Sequence, residues 1–119
     1  MVITSILERW EDNMVQQASK IHWTYSVNNK CIGSCTIHPS HYLSNAVELW
    51  AFGIQGNMRG HGYGQQFLRE IIEFHRGQTL VLFVEKDNPR ALHIYTKLGF
   101  QIVGNYRGGD YAWEMRLEA

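Results

Sequence analysis

A chain of 119 residues is the size of one domain, and with 45% hydrophobic and 13% aromatic residues it can bury one sizeable core. Lys plus Arg and Asp plus Glu both number 11, so the net charge is zero, which argues against a nucleic-acid binder working by bulk charge and leaves a protein partner or small substrate open. No charged-then-apolar leader opens the chain and no apolar run nears a membrane span, so the expectation is a cytoplasmic protein without a membrane partner.

The opening stretch "TSILERWEDNMVQQASK" reads as a helix, with Ser5 and Glu8 as a capping box and Ile6, Trp10, Met14 and Ala18 on one apolar face. "IHWTYSV" and "KCIGSCTIH" then alternate as strands about Asn28 and Asn29, a tight hairpin turn. Cys31 and Cys35 would share a strand face about 13 Å apart, too far for a disulfide. With His38 and His41 they spell C-x3-C-x2-H-x2-H, a hint of zinc. Only two residues separate Cys35 from His38, too few to fold ligands around one ion, so buried thiols and solvated loop histidines are the reading taken and no metal is expected.

"HPSHYLSN" is a loop, and "AVELWAFGI" alternates again, with Glu48, Trp50, Phe52 and Ile54 on one face. After "MRGHGYGQQF", the residues Phe67, Leu68, Ile71, Ile72 and His75 mark an amphipathic helix ending near Gly77. "TLVLFVE" suits a strand covered on both faces. Asn88 and Pro89 open a third helix that stops at Gly99, and "FQIVGNY" and "YAWEMRL" flank "RGGD" as a closing hairpin. The order α-β-β-β-α-β-α-β-β predicts an α/β (α+β) fold. The strands around the crossover at residues 46–85 should be parallel, with the rest of a mixed sheet antiparallel and helices packed on it. No linker or internal repeat divides residues 1–119.

Gly60, Gly62 and Gly64 stand where a helix is about to start, although glycine weakens a helix by roughly 1 kcal/mol relative to alanine. A strand, a glycine turn and a helix in succession place bare amides and a helix N-terminus at the end of a sheet, which suits an anion. Arg59 adds a positive charge at the entrance. Such a turn alone is a weak signal, and purely structural turns are common. Gln65 breaks the dinucleotide pattern G-x-G-x-x-G, and no Gly-Lys-Ser/Thr follows to make a P-loop. Farther on, Asn88, Ala91 and Tyr95 fall along one helix face, with Ala91 small enough to let a ligand lie there and Tyr95 two turns in.

Two signatures now stand in order: R-x-x-G-x-G as Arg59, Gly62 and Gly64, and N-x-x-A-x-x-x-Y-x-x-x-G-F as Asn88, Ala91, Tyr95, Gly99 and Phe100. With a predicted strand between them, the chain resembles the GNAT N-acetyltransferase superfamily from residue 21 to its end. The resemblance implies a sheet whose central parallel strands splay apart, with the pantetheine arm of acetyl-CoA lying between "ELWAFGI" and "TLVLFVE". Main chain at Phe52, Gly53 and Ile54 would pair with that arm. The amides of Gly60, His61, Gly62, Tyr63 and Gly64, with Arg59, would hold the pyrophosphate. Asn88, which also caps its helix, and Ala91 would face the cofactor.

The resemblance makes Tyr95 the general acid for the departing thiolate, against its plainer reading as a core aromatic. Glu48, eleven residues ahead of Arg59, is the candidate base, against an ordinary strand charge paired with an arginine. A water chain is the alternative base. Shielding by Trp50 and Phe52 would raise the Glu48 pKa. A backbone N–H near Phe52 or Gly53 would serve the oxyanion. His61 is read as a solvated loop residue, and His93 as packing or surface.

Only twenty residues precede "IHWTYSV", where the family has a strand and two helices. The expectation is a shortened N-terminal region and a more open acceptor side, which favours a protein or peptide amine. A second subunit completing the site in a homodimer fits equally. The function expected is acetyl transfer from acetyl-CoA to a primary amine. A small-molecule amine acetyltransferase and a non-catalytic CoA-binding regulatory module are the alternatives, and an interaction domain with a merely structural glycine turn is a third class.

Overall fold

The computed structural model describes residues 5–11, as backbone, and residues 20–119. Among these described residues seven strands form one sheet in the order β1-β2-β3-β4-β5-β7-β6: β1 is Ser5–Glu11, β2 Ile21–Val27, β3 Lys30–Pro39, β4 Ala46–Ile54, β5 Thr79–Glu85, β6 Gln101–Asn105 and β7 Ala112–Leu117. Two helices, α1 (Tyr63–Phe74) and α2 (Pro89–Lys97), connect β4 to β5 and β5 to β6. Among the described residues only β4 and β5 are parallel. Asn28 and Asn29 turn the β2–β3 hairpin with φ of 53° and 67°, the left-handed pair that a two-residue turn requires.

The first element corrects the sequence reading. Ser5–Glu11 is a strand, paired residue for residue with β2 from Ser5 opposite Val27 to Glu11 opposite Ile21. Ile6, Glu8 and Trp10 fit a strand's period of two, while Ile6 and Trp10 also fit a helix. Pairing along β2 decides between the two. The remainder of the expected helix, with Met14 and Ala18, lies outside the described residues.

Register sorts the side chains into two faces. Trp23 opposes Cys35, Ile37 opposes Leu49, Leu49 opposes Leu82 and Leu82 opposes Met115. These residues join Phe67, Leu68 and Ile71 of α1 in one buried cluster, against which Ala91, Leu92, Tyr95 and Leu98 of α2 pack. The other face runs through His38, Glu48, Val81 and Arg116 in successive rungs. In β5, Leu80 and Leu82 serve the first face while Val81 is fully buried on the second, so the strand is covered on both sides as its composition suggested.

Two irregularities shift the alternation. Between Tyr25 and Ser26 the β2–β3 register slips, and Ile32 and Cys35, three residues apart, both enter the core. Cys31 is therefore exposed and does not share a face with buried Cys35. In β4, Gly53 opposes Ser34 and Trp50 opposes Thr36, which leaves Ala51 and Phe52 across from Cys35 alone. This bulge holds Ala51 at φ 55°, a conformation costing an L-residue roughly 1–2 kcal/mol. The shared face expected for Glu48, Trp50, Phe52 and Ile54 is thus split: Glu48 and Trp50 look away from the helices, and Phe52 and Ile54 turn inward. Phe52 packs 5.3 Å from the Phe67 ring of α1. No helix among the described residues is long and apolar enough to cross a membrane.

Candidate active site

The parallel ladder between β4 and β5 is short. Ala46–Leu49 pair with residues 79–82, and beyond Leu49 and Leu82 the strands part. β4 stays with β3 as far as Ile54 opposite Gly33, and β5 stays with β7 as far as Glu85 opposite Ala112. The facing edges at residues 50–54 and 83–85 therefore carry main-chain groups toward a gap, a setting that accepts an extended ligand as an added strand. Gly53 is exposed there, and Ile54 lies partly buried beside it. On the β3 side Gly53 and Ile54 also line a shallow depression of about 240 Å³ with Ile32 and Gly33.

The glycine turn follows at once. Arg59 Nε donates to the Ile54 carbonyl at 3.2 Å, which ties the guanidinium to the end of β4. Gly60 and Gly62 sit at φ 86° and 80°, so any side chain there would be strained. Gly62 is the N-cap of α1 and supplies no side-chain acceptor, and the first intrahelical bond runs from Gln66 N to Gly62 O. The amides of Tyr63, Gly64 and Gln65 therefore have no partner within the helix. A Cβ on Gly64 would meet Ile54 Cγ1 at an ordinary 3.6 Å, so the protein's own packing does not demand glycine there. Its bare Cα leaves the helix tip clear for a bulky anion. His61 is exposed, its ring 5.6 Å from that of Tyr63.

On α2, Asn88 caps the helix, its Oδ1 accepting from Ala91 N at 3.2 Å. Ala91 and Tyr95 rest against the core one turn apart on the side facing the sheet. Burial, and then the nearby Cys35 thiol, push the Tyr95 phenol up to about 12. Burial pushes Cys35 up to about 12 as well. Cys35 lies across from the β4 bulge, so Tyr95 approaches the gap from the helix side. His93 is exposed.

The opposite face carries Glu48. It is only 8% exposed and accepts from Trp50 Nε1 at 2.9 Å. Neither described ion pair, Arg76–Glu73 nor Arg116–Glu114, includes it, so the plainer reading of a carboxylate neutralised by arginine does not apply among the described residues. Phe52 is on the other face, which leaves Trp50 as the aromatic shield. Glu48 and Trp50 line a cavity of about 260 Å³ with Tyr42, Phe83, Tyr106 and Glu114, and with His41 and Arg107.

Sequence reasoning missed Tyr42, Phe83, Tyr106 and Glu114. Phe83 and Glu114 sit in strands read only as sheet, Tyr42 in a loop, and Tyr106 was read as the end of the strand "FQIVGNY", whereas β6 stops at Asn105 and Tyr106 begins a turn. No group of three or more His, Cys, Asp or Glu side chains among the described residues is placed to hold a metal ion.

A mixed sheet whose one parallel pair opens above an uncapped glycine turn defines a class of fold, and comparison with known proteins agrees. The chain belongs to the acetyltransferase (GNAT) family, whose model matches residues 3–100. It is 36% identical over 77 residues to N-alpha-acetyltransferase RimI of Mycobacterium tuberculosis, covering 60% of this chain and 49% of that protein. It is 32% identical over 62 residues to 5-NmdU N-acetyltransferase of Pseudomonas phage PaMx11, covering 52% and 44%. The chain thus spans about half the length of the curated relatives it matches. Among solved structures, the IAA acetyltransferase of Bacillus cereus superposes with a TM-score of 0.77 at 15% identity, over 98% of this chain and 100% of that one. Arabidopsis thaliana Naa50, in complex with the bisubstrate analogue CoA-Ac-MVNAL, gives 0.71 at 19% identity over 82% and 72%. These two likenesses concern the fold.

Proposed function

We propose that the chain is an acetyl-CoA-dependent N-acetyltransferase acting on a primary amine. The observation that carries this is the parting of β4 from β5 directly above the uncapped amides of α1. The gap would take the pantetheine arm, and the turn from Arg59 to Gly64 the pyrophosphate. The acceptor would approach from the Glu48 face. An ammonium has no lone pair, so Glu48 takes its proton, and the nitrogen then bonds to the acetyl carbon as the carbon–sulfur bond breaks. Main-chain N–H groups beside the Ala51 bulge stabilise the oxygen as its charge develops. Tyr95 gives its proton to the departing sulfur, and the second proton that the acylated nitrogen sheds leaves to solvent or restores the phenol, giving the neutral amide and the free thiol. The names of the relatives, RimI among them, support amine acetylation.

The test is incubation with isotopically labelled acetyl-CoA and a panel of peptides, small amines and lysate, read by mass spectrometry. Label on an amine nitrogen, dependent on the protein, is expected. Acetyl-CoA at a hundredfold excess over its Kd should add about 2.7 kcal/mol of stability and raise Tm. A Tm shift without acetylated product would favour the non-catalytic CoA-binding module, and no shift at millimolar ligand would remove the cofactor reading.

A further inference from the structure

The cavity on the Glu48 face has a chemistry of its own. Glu48 is buried, its described hydrogen-bond partner is one indole N–H, and it joins no salt bridge among the described residues, although His38 opposes it across the strands and Arg107 lines the same cavity. A buried carboxylate in that state is costly, and a positively charged ligand would relieve it. The walls beside it are aromatic: ring centroids of Trp50 and Phe83 lie 5.0 Å apart, Phe83 and Tyr106 4.3 Å, and Trp50 and Tyr106 6.3 Å. Such ring faces attract an ammonium electrostatically.

The second carboxylate, Glu114, is already engaged by Arg116 at 2.8 Å and by the Tyr42 hydroxyl. It adds negative field without competing for the ligand's head. Arg107 also lines the cavity, its guanidinium 5.3 Å from the Tyr106 ring centre, so one ring already meets a cation of the chain's own and the Trp50 and Phe83 rings nearer Glu48 are left to the ligand. The volume, about 260 Å³, falls below the range of roughly 300–1,000 Å³ that drug-sized ligands fill.

From this we infer that the acceptor enters as a primary ammonium on a slender, apolar, unbranched stem, its head at Glu48 and its stem among Trp50, Phe83 and Tyr106. The inference rests on the acetyltransferase reading and names that site's substrate class. A free alkylamine and a lysine side chain share this chemistry. A peptide α-amine fits less well, because its adjoining carbonyl and amide would lose water beside the Trp50 and Phe83 rings and would have to reach His41, Tyr42 or Arg107 for a partner.

Two measurements separate this inference from the reading beneath it. The first is kcat/KM at saturating acetyl-CoA for straight-chain alkylamines, for an N-terminally blocked peptide with one lysine, and for a lysine-free peptide with a free N-terminus. The alkylamines or the lysine peptide should exceed the free N-terminus by about tenfold or more, and the faster of the two names the source.

The second needs no transfer at all. Butyltrimethylammonium and its neutral carbon isostere are titrated against the CoA-loaded protein by tryptophan fluorescence. The cation should bind about tenfold or more tightly, and Phe83→Leu should erase most of the difference while the neutral isostere still binds. Preference for the peptide α-amine, equal binding of cation and isostere, or an unaltered Phe83→Leu variant would each overturn the inference. Selective cation binding without acetylation of any acceptor would keep the amine-binding cavity and sink the acetyltransferase reading.

Discussion

Replacing Tyr95 by phenylalanine is expected to lower kcat by about 10²- to 10⁴-fold, the usual contribution of a general acid, with acetyl-CoA affinity nearly unchanged. The ring still packs on the core 6.0 Å from Phe100, so only the hydroxyl is lost. Burial first, and Cys35 second, push that hydroxyl up to about 12, so it keeps its proton through neutral and moderately alkaline pH and the acid starts each turnover loaded. The wild-type rate should therefore show no falling limb from Tyr95 until pH approaches that value.

The same groups set the alkaline limit of stability. Tyr95 rises from 10.0 and Cys35 from 9.0, both to about 12. A raised folded-state value means stability that is fully present below the ordinary value and lost as pH climbs through the raised one, between about 9 and 12. Denaturant melts across that window should show the loss, with a smaller loss in Tyr95→Phe. A variant with wild-type kcat would remove Tyr95 as the acid.

Glu48→Gln should reduce kcat/KM at neutral pH by about the same two to four decades, since an amide cannot take the acceptor's proton. The amide oxygen still accepts from Trp50 Nε1, so the cavity keeps its shape. The residual rate should climb with pH as the amine deprotonates by itself, toward the ordinary lysine value of about 10.4. Rate profiles of the two proteins with one acceptor decide the matter. Superimposable profiles would hand the base to water or to another group.

Much of this was legible in the chain because it is local. Alternation marked β2, β3, β4, β6 and β7, a continuous apolar run marked β5, Asn88–Pro89 marked the start of α2, and the glycines at 60, 62 and 64 marked the turn before α1. The failures are non-local or silent. Ser5–Glu11 satisfies two periods at once, and only its partner β2 chooses between them. A bulge adds one residue to a strand, and its usual mark is a glycine or asparagine at positive φ. Ala51 at φ 55° carries no such mark, so Phe52 and Ile54 were read on the wrong face. The aromatic cavity was invisible for a different reason. Trp50, Phe83 and Tyr106 come from three segments that meet through the β4–β5 register and the turn after β6.

The most direct measurement is a crystal structure of the protein with acetyl-CoA. The expected result has the pantetheine arm between β4 and β5, pyrophosphate oxygens accepting from amides of the Gly60–Gly64 turn, and the thioester between Tyr95 and Glu48. A thioester bound elsewhere, or a vacant turn with the two strands closed on each other, would contradict it.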